Sequence, residues 1–352
     1  MDVLSTAERL ADEVLFPAAL TTDTADAVPV DLLDTLAEAG LYGLSGPISA
    51  GGVDADFPTV CSVVEKLASG CLTTTFVWVQ HLGAVIAAAG SDNAAIRDWV
   101  SPLCVGQRRA GLALGGAIPG RPLLRARETE NGWTFTGTSP YVSGWNRVDV
   151  IHTAARTDDG RLVWALIDAR ESATLIVERL TLVALNATAT VRADLLEHDV
   201  PAQRVTSVGP YREGPVPPEP LRIHAALALG VAMRCCRLLG ATPLDEELAR
   251  VRAELDRLDP ATIQAARGSA GEVALRAAAA LAVATGSRSL LVGGSRAATH
   301  PRSAVRACLR PPPWLARCGA RPVARRPIAM TAFPLVRGRL VGLGGLEPPA
   351  SS

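Results

Sequence analysis

The sequence predicts an α+β chain with helical segments at both ends and a β domain between them. Three observations carry this. Apolar residues recur at helical spacing up to about residue 108, at a period of two from about 109 to 207, and at helical spacing again from about 208 to 295. No strand–helix–strand alternation is visible, which speaks against a doubly wound nucleotide-binding fold. Finally, 352 residues with 48% apolar and 20% charged content are enough to bury a large core. The expected architecture is an N-terminal α-helical domain (1–108), a central β-barrel or sandwich domain (109–207), a C-terminal α-helical bundle (208–295) and a basic Pro/Arg-rich tail (296–352).

In the first zone, Leu4, Ala7, Leu10, Ala11 and Val14 share one helix face. Leu32, Leu33 and Leu36 mark a second helix, with Gly40 where a left-handed C-cap is wanted. The longest apolar stretch, 75–90, contains Gln80 and His81. It reads as a buried helix, too short and too polar to span a bilayer. Ser91-Asp92 then offers an N-cap for the next helix.

In the second zone the runs GLALGG, WTFTGT, VDVIHTAAR, RLVWALID and ATVRADLLEHDV are strand-like. Asn131-Gly132 and Asp159-Gly160 are hairpin turn signals between them. A Pro-rich connector (Pro215 to Pro220) opens the third zone, where helices fit 221–240, 244–258 and 265–285. Gly230 sits inside the first of these. It costs about 1 kcal/mol relative to Ala in a helix, so it predicts a close helix–helix approach.

Beyond about residue 296 the pattern breaks. Arg and Pro dominate without an apolar period, and no acidic residue occurs between Glu272 and Glu347. Two readings stand: a shifted reading frame near 294–300, or a disordered basic tail.

The 35 basic residues balance the 35 acidic ones. This argues against a nucleic-acid partner or a membrane-surface protein. All the basic residues but Lys66 are arginine, so a single arginine is weak evidence for a phosphate site. The start has no basic n-region or apolar h-region, and the seven cysteines show no CxxC spacing. Reduced, buried thiols in a cytoplasmic protein are expected. The five histidines form no HxxxH or HExxH pair, so no metal site is predicted. No GxSxG elbow follows a strand, so a hydrolase triad is not expected.

The order of segments resembles the acyl-CoA dehydrogenase family over about residues 1–295. LAEAGLYGL (36–44), followed by Pro47 and Gly51-Gly52, is similar to an early helix and turn of that family. ASGCLTTTFVWVQHLGAV (68–85) resembles its buried helix, and GQRRAGLAL (106–114) the entry to its β domain. NGWTFTG (131–137), YVSG (141–144) and VDV (148–150) sit where the family has its hairpin, flavin motif and following strand.

The resemblance implies FAD as cofactor and an acyl-CoA or carrier-bound acyl substrate. It also implies α,β-dehydrogenation, a possible electron-transfer flavoprotein acceptor, and a homodimer or homotetramer. Tyr141, Val142 and Ser143 would lie beside the flavin, with Ser143 keeping a hydroxyl at its edge. Trp145, two residues on, is more a β-face anchor but could line the pocket. Leu114, Gly115 and Gly116 open the LGGAIPG loop (114–120), whose glycines would let backbone N–H groups approach the cofactor.

The proton-abstracting carboxylate is the departure. The family's common position falls near Val292, and Glu219, at the start of the first C-terminal helix, is the candidate base. As a bystander, Glu219 would simply be an acidic residue favoured at a helix N-terminus. A non-catalytic partner subunit and a flavin-dependent monooxygenase therefore stand as alternative functions.

Overall fold

The structure, a computed structural model, describes residues 2–286. The predicted tail (296–352), the site of the suspected frame shift, Val292 and the last residues of the predicted C-terminal bundle lie outside the described residues. The described residues all fall within one compact unit.

The first helix is longer than the period suggests. It runs through α1 (Val3–Leu10), a π-helical turn (Ala11–Leu15) and α2 (Phe16–Thr24) without leaving helical dihedrals at the junctions. Asp2 caps it by accepting from the Leu4 and Ser5 N–H groups. The widened turn carries Asp12, which pairs with Arg234 and with Arg237 (2.9 Å). α3 (Val30–Glu38) ends as expected, with Gly40 at φ 74°.

α4 (Phe57–Gly70) is followed by two short helices, α5 (Leu72–Val79) and α6 (Leu82–Ala89), where one buried helix was expected. Leu72–Ala89 is apolar enough by composition to cross a membrane, with a mean hydropathy of 1.4, and 61% of it is buried inside the protein. The break falls at Gln80–His81, where the His81 ring is tied sideways. Its Nδ1 accepts from the Ala110 N–H (3.0 Å), so Nε2 carries the proton and donates to the Leu103 carbonyl (3.1 Å). The expected Ser91 cap is corrected to Asn93, which accepts from the Ala95 N–H and starts α7 (Ala94–Arg97). The Ser91 hydroxyl instead donates to the Thr206 carbonyl. α8 (Val100–Cys104) completes the layer.

The β domain is one eight-stranded sheet: β1 (Ala110–Ala113), β2 (Leu124–Thr129), β3 (Gly132–Val142), β4 (Val150–Arg156), β5 (Arg161–Asp168), β6 (Leu175–Arg179), β7 (Val191–Pro201) and β8 (Val205–Pro210). Its order is β6-β7-β3-β2-β4-β5-β8, with β1 parallel to β4. Both predicted hairpins form. Thr129 pairs with Gly132, leaving Glu130-Asn131 as the turn, and Gly160 turns β4 into β5 at φ 82°. One apolar cluster gathers side chains from all eight strands, Phe135, Val163, Leu175 and Leu195 among them, so the sheet curls around its own core. Trp145 is buried in this cluster and anchors the sheet. A second cluster joins α6–α8 to β1, β4 and β5.

The chain closes with α9 (Pro218–Leu239), α10 (Pro243–Leu255) and α11 (Ile263–Thr285). α9 lies directly on α4, and Gly230 is the contact. A Cβ there would sit 2.7 Å from the Ala68 Cβ and closer still to the Glu65 carbonyl. Buried charges surround this contact. Glu65 accepts from Arg222 (2.8 Å) and Arg252 (2.8 Å), Arg222 also bonds Asp256 (2.7 Å), and Arg234 donates to the Ser69 carbonyl (2.7 Å). The five cysteines among the described residues are free and buried.

Two predictions follow from this packing. Gly230→Ala should destabilise by about 1–3 kcal/mol, because the helices must separate. Gly271→Ala in α11 meets nothing within 4 Å and should stabilise by about 0.5–1 kcal/mol through helix propensity. Urea unfolding of the pair checks both, and equal effects would contradict the close approach. Second, burial holds His81, His152 and His224 down to about 4. Their unfolded forms take up protons first as pH falls below the usual value of about 6.5. Stability is therefore fully present above about 6.5 and is lost towards 4, at up to about 1.4 kcal/mol per pH unit for each histidine. A flat stability between pH 7 and 5 would show these rings are not buried neutral.

Candidate functional site

The predicted cofactor-binding residues fall on two segments, the end of β3 and the loop after β1, and that loop packs on β3 at Thr138 and Ser139. At the end of β3 exposure falls off sharply. Tyr141 is 54% exposed, Val142 is fully buried in the sheet core, and Ser143 is turned inward again just past the strand. The turn that follows is pinned: the Gly144 N–H donates to the Thr188 carbonyl (2.7 Å), and Arg147 donates to the Val28 carbonyl (2.6 Å).

Ser143 heads a row of hydroxyls. Its Oγ lies 2.7 Å from Thr190 Oγ1, which lies 2.7 Å from Thr188 Oγ1, which donates to the Leu185 carbonyl (2.7 Å). Each hydroxyl has one proton. The Thr188 proton goes to Leu185, so the next contact needs the Thr190 proton, and the last needs the Ser143 proton. Ser143 is thereby left with acceptor lone pairs. Thr188 and Thr190 have no signal in the sequence beyond an ordinary Thr-rich strand entry.

The 114–120 loop is closed onto the sheet. Leu114 is partly exposed, and Gly115 and Gly116 are buried. A Cβ at Gly115 would lie 2.7 Å from the Thr138 carbonyl, and one at Gly116 2.6 Å from that of Ala154. The Gly116 N–H donates to the Ala154 carbonyl (2.8 Å). These two glycines serve close packing against β3 and β4, and the Gly116 N–H expected to face a cofactor is engaged inside the protein. Beside Gly115 the Ser139 hydroxyl is buried without a partner.

Glu219 stands away from any dry pocket. It is exposed in the first turn of α9, where the helix dipole favours it. The buried carboxylate among the described residues is Glu65, which sequence reading missed, and two guanidiniums occupy it. In so arginine-rich a chain, nothing in the sequence singles out Arg222 and Arg252 as its partners.

These groups fit a flat aromatic cofactor at one edge. The exposed Tyr141 ring and Leu114 offer apolar contact, and Ser143 offers an acceptor to a ring N–H. FAD has such an edge, and Leu114, Tyr141 and Ser143 are the residues that would hold it. Gly115, Gly116 and Val142 would act through the backbone and packing.

The family described as "Acyl-CoA dehydrogenase, N-terminal domain" matches residues 2–107. A (2S)-methylsuccinyl-CoA dehydrogenase from Cereibacter sphaeroides is 26% identical over 156 residues, which are 43% of this chain and 28% of that protein. The match thus spans less than a third of that relative's length. Among solved structures, a glutaryl-coenzyme A dehydrogenase in complex with glutaryl-CoA superposes with a TM-score of 0.70 at 16% identity, over 87% of this chain and 88% of that one. PigA with FAD and proline gives 0.69 at 18% identity, over 88% and 90%. Residues 2–107 thus match the N-terminal domain of the acyl-CoA dehydrogenase family, and the described chain shares its fold with solved acyl-CoA dehydrogenases.

Proposed function

We propose that this chain is a flavoprotein oxidoreductase that holds FAD against Leu114 and Tyr141–Ser143 and acts on an acyl thioester, bound to CoA or to a carrier protein. The observation that carries the reading is the Ser143 hydroxyl row: a buried acceptor of fixed orientation beside an exposed aromatic ring. Its place in a fold shared with a glutaryl-CoA dehydrogenase and an FAD-containing protein supports the assignment. FAD, when bound, supplies the acceptor for the hydride of an α,β-dehydrogenation. The chain's own part is to orient the thioester, exclude water and take up the α-proton, with Glu219 as the acceptor of that proton. An electron-transfer flavoprotein as oxidant, a cytoplasmic location and a homodimer or homotetramer belong to the same proposal.

A non-catalytic partner subunit is the second reading. The exposure of Glu219 and the double occupation of Glu65 favour it, because neither carboxylate is a free base in a dry site.

The visible spectrum after gel filtration with added FAD tests the first reading, and retained flavin bands are expected. Ser143→Ala should weaken FAD binding about tenfold, the worth of one hydrogen bond of about 1.4 kcal/mol. Mixing the flavin-loaded protein with acyl-CoA without oxygen should bleach the flavin, and Glu219→Gln should slow bleaching by about 10²–10⁴-fold. Colourless protein rejects the self-contained enzyme. Bleaching that is unaffected by Glu219→Gln leaves Glu219 as a helix-terminal carboxylate.

A further inference from the structure

Arg156, the last residue of β4, has a setting that the proposed function does not use. It is 8% exposed, and among the described residues no carboxylate pairs with it. Its whole guanidinium fork is turned into the 114–120 loop. Nε and Nη2 donate to the Gly116 carbonyl (3.0 and 2.9 Å), Nη2 also to that of Ile118 (2.7 Å), and Nη1 to that of Gly120 (2.8 Å). The Tyr211 ring covers the cation at 3.4 Å from its centroid, and the Tyr211 N–H is fixed to the Gly160 carbonyl. A buried cation without an anion is costly unless several acceptors surround it. Here the acceptors are three alternate carbonyls of one short loop, with an aromatic face as the fourth side.

The consequence concerns which way the loop faces. With the carbonyls of 116, 118 and 120 drawn inward, the peptide joining Gly120 to Arg121, planar and trans, directs the Arg121 N–H outward. The Arg121 residue itself is exposed. Leu114, at the loop's other end, is held outward while its carbonyl accepts from the Ala117 and Ile118 N–H groups. The loop is thus an inside-out collar: carbonyls towards Arg156, the Gly116, Ala117 and Ile118 N–H groups bonded inside the protein, and Leu114 and the Arg121 N–H left on the outer side. A lysine could keep the charge but could not reach three carbonyls at once, since it lacks the planar fork.

We propose that Arg156, covered by Tyr211, is the positioning residue of the 114–120 loop, and that it sets the loop's ligand-facing shape. The proposal rests on the flavin reading for the ligand's identity and on this chain's geometry for the loop. The test combines hydrogen exchange at the Gly116, Ala117 and Ile118 amides with FAD titration of the same full-length variants.

Arg156→Lys and Arg156→Gln should each speed exchange at these amides by about 100-fold and weaken FAD about tenfold or more. Tyr211→Phe should leave both readouts unchanged, and Tyr211→Leu should shift both in the direction of the Arg156 variants. Leu255→Ala, buried in the C-terminal helices, supplies a control that lowers Tm without touching the loop. Its loop exchange and FAD affinity should match wild type. Unchanged loop exchange in Arg156→Lys overturns the proposal, as does faster exchange with unchanged FAD affinity. If the wild-type protein retains no FAD, the flavin reading falls. The exchange arm then decides alone: protection that survives Arg156→Lys overturns the collar, and its loss supports it.

Discussion

The contact on which the rest of the structure depends is that of α9 with α4. It brings together two helical segments that are far apart in the chain. It is also an unusual contact, because it mixes a glycine-enabled close approach with buried charge. Gly230 removes the one side chain that would hold the helices apart, and Arg222 and Arg234 then reach across to Glu65, Ser69 and Asp12. A buried ion pair of this kind contributes little net stability, but breaking it by removing one partner costs about 3–5 kcal/mol. Its effect is therefore selective: it penalises other registers of α9 on α4 more than it stabilises the observed one. The π-helical turn at 11–15 fits this logic. It aims Asp12 at Arg234 and Arg237 without interrupting the helix.

How far the sequence discloses this can be judged from single residues. The change of period from helix to strand and back is a local property, and it was legible. So were Gly40 as a C-cap, the two hairpins, and Gly230 as a packing glycine, because each depends on chain neighbours or on the cost of glycine in a helix. What was not legible depends on partners distant in sequence. Asn93 takes the cap position because its side-chain NH₂ is held by the Ala202 and Val205 carbonyls, which leaves its Oδ1 to accept from the Ala95 N–H. The apolar stretch breaks at His81 because Ala110 and Leu103 fix its ring. Glu65 is buried because two arginines meet it, and in a chain whose cations are nearly all arginine no sequence pattern marks those two.

The same division runs through the candidate site. The segment 114–116 packs on β3 at Thr138 and β4 at Ala154–Ala155, whereas Ser143, further along, lies beside Gly111. Their chemistry differs from what the residue types suggest. A glycine-rich loop reads as backbone open to a phosphate or a ring, yet Gly115 and Gly116 are closed against β3 and β4. A serine reads as a donor, yet Thr188 and Thr190 turn Ser143 into an acceptor. Both differences arise because a polar group's role is set by which partner takes its single proton or lone pair, and those partners come from β4 and the turn before β7.

The proton step is where fold and chemistry separate most clearly. Taking an α-proton requires a carboxylate that is both desolvated and free, since water stabilises the anion and a guanidinium occupies its lone pairs. Glu65 meets the first condition and fails the second. Glu219 meets the second and fails the first. The fold thus does not by itself supply the base. For Glu219 to act, the bound thioester must bring its own apolar surface over the first turn of α9 and dry the carboxylate on arrival. The helix N-terminus would still stabilise the anion, so desolvation by substrate would have to outweigh the dipole. An acyl chain long enough to cover that turn would meet this condition and a short polar one would not.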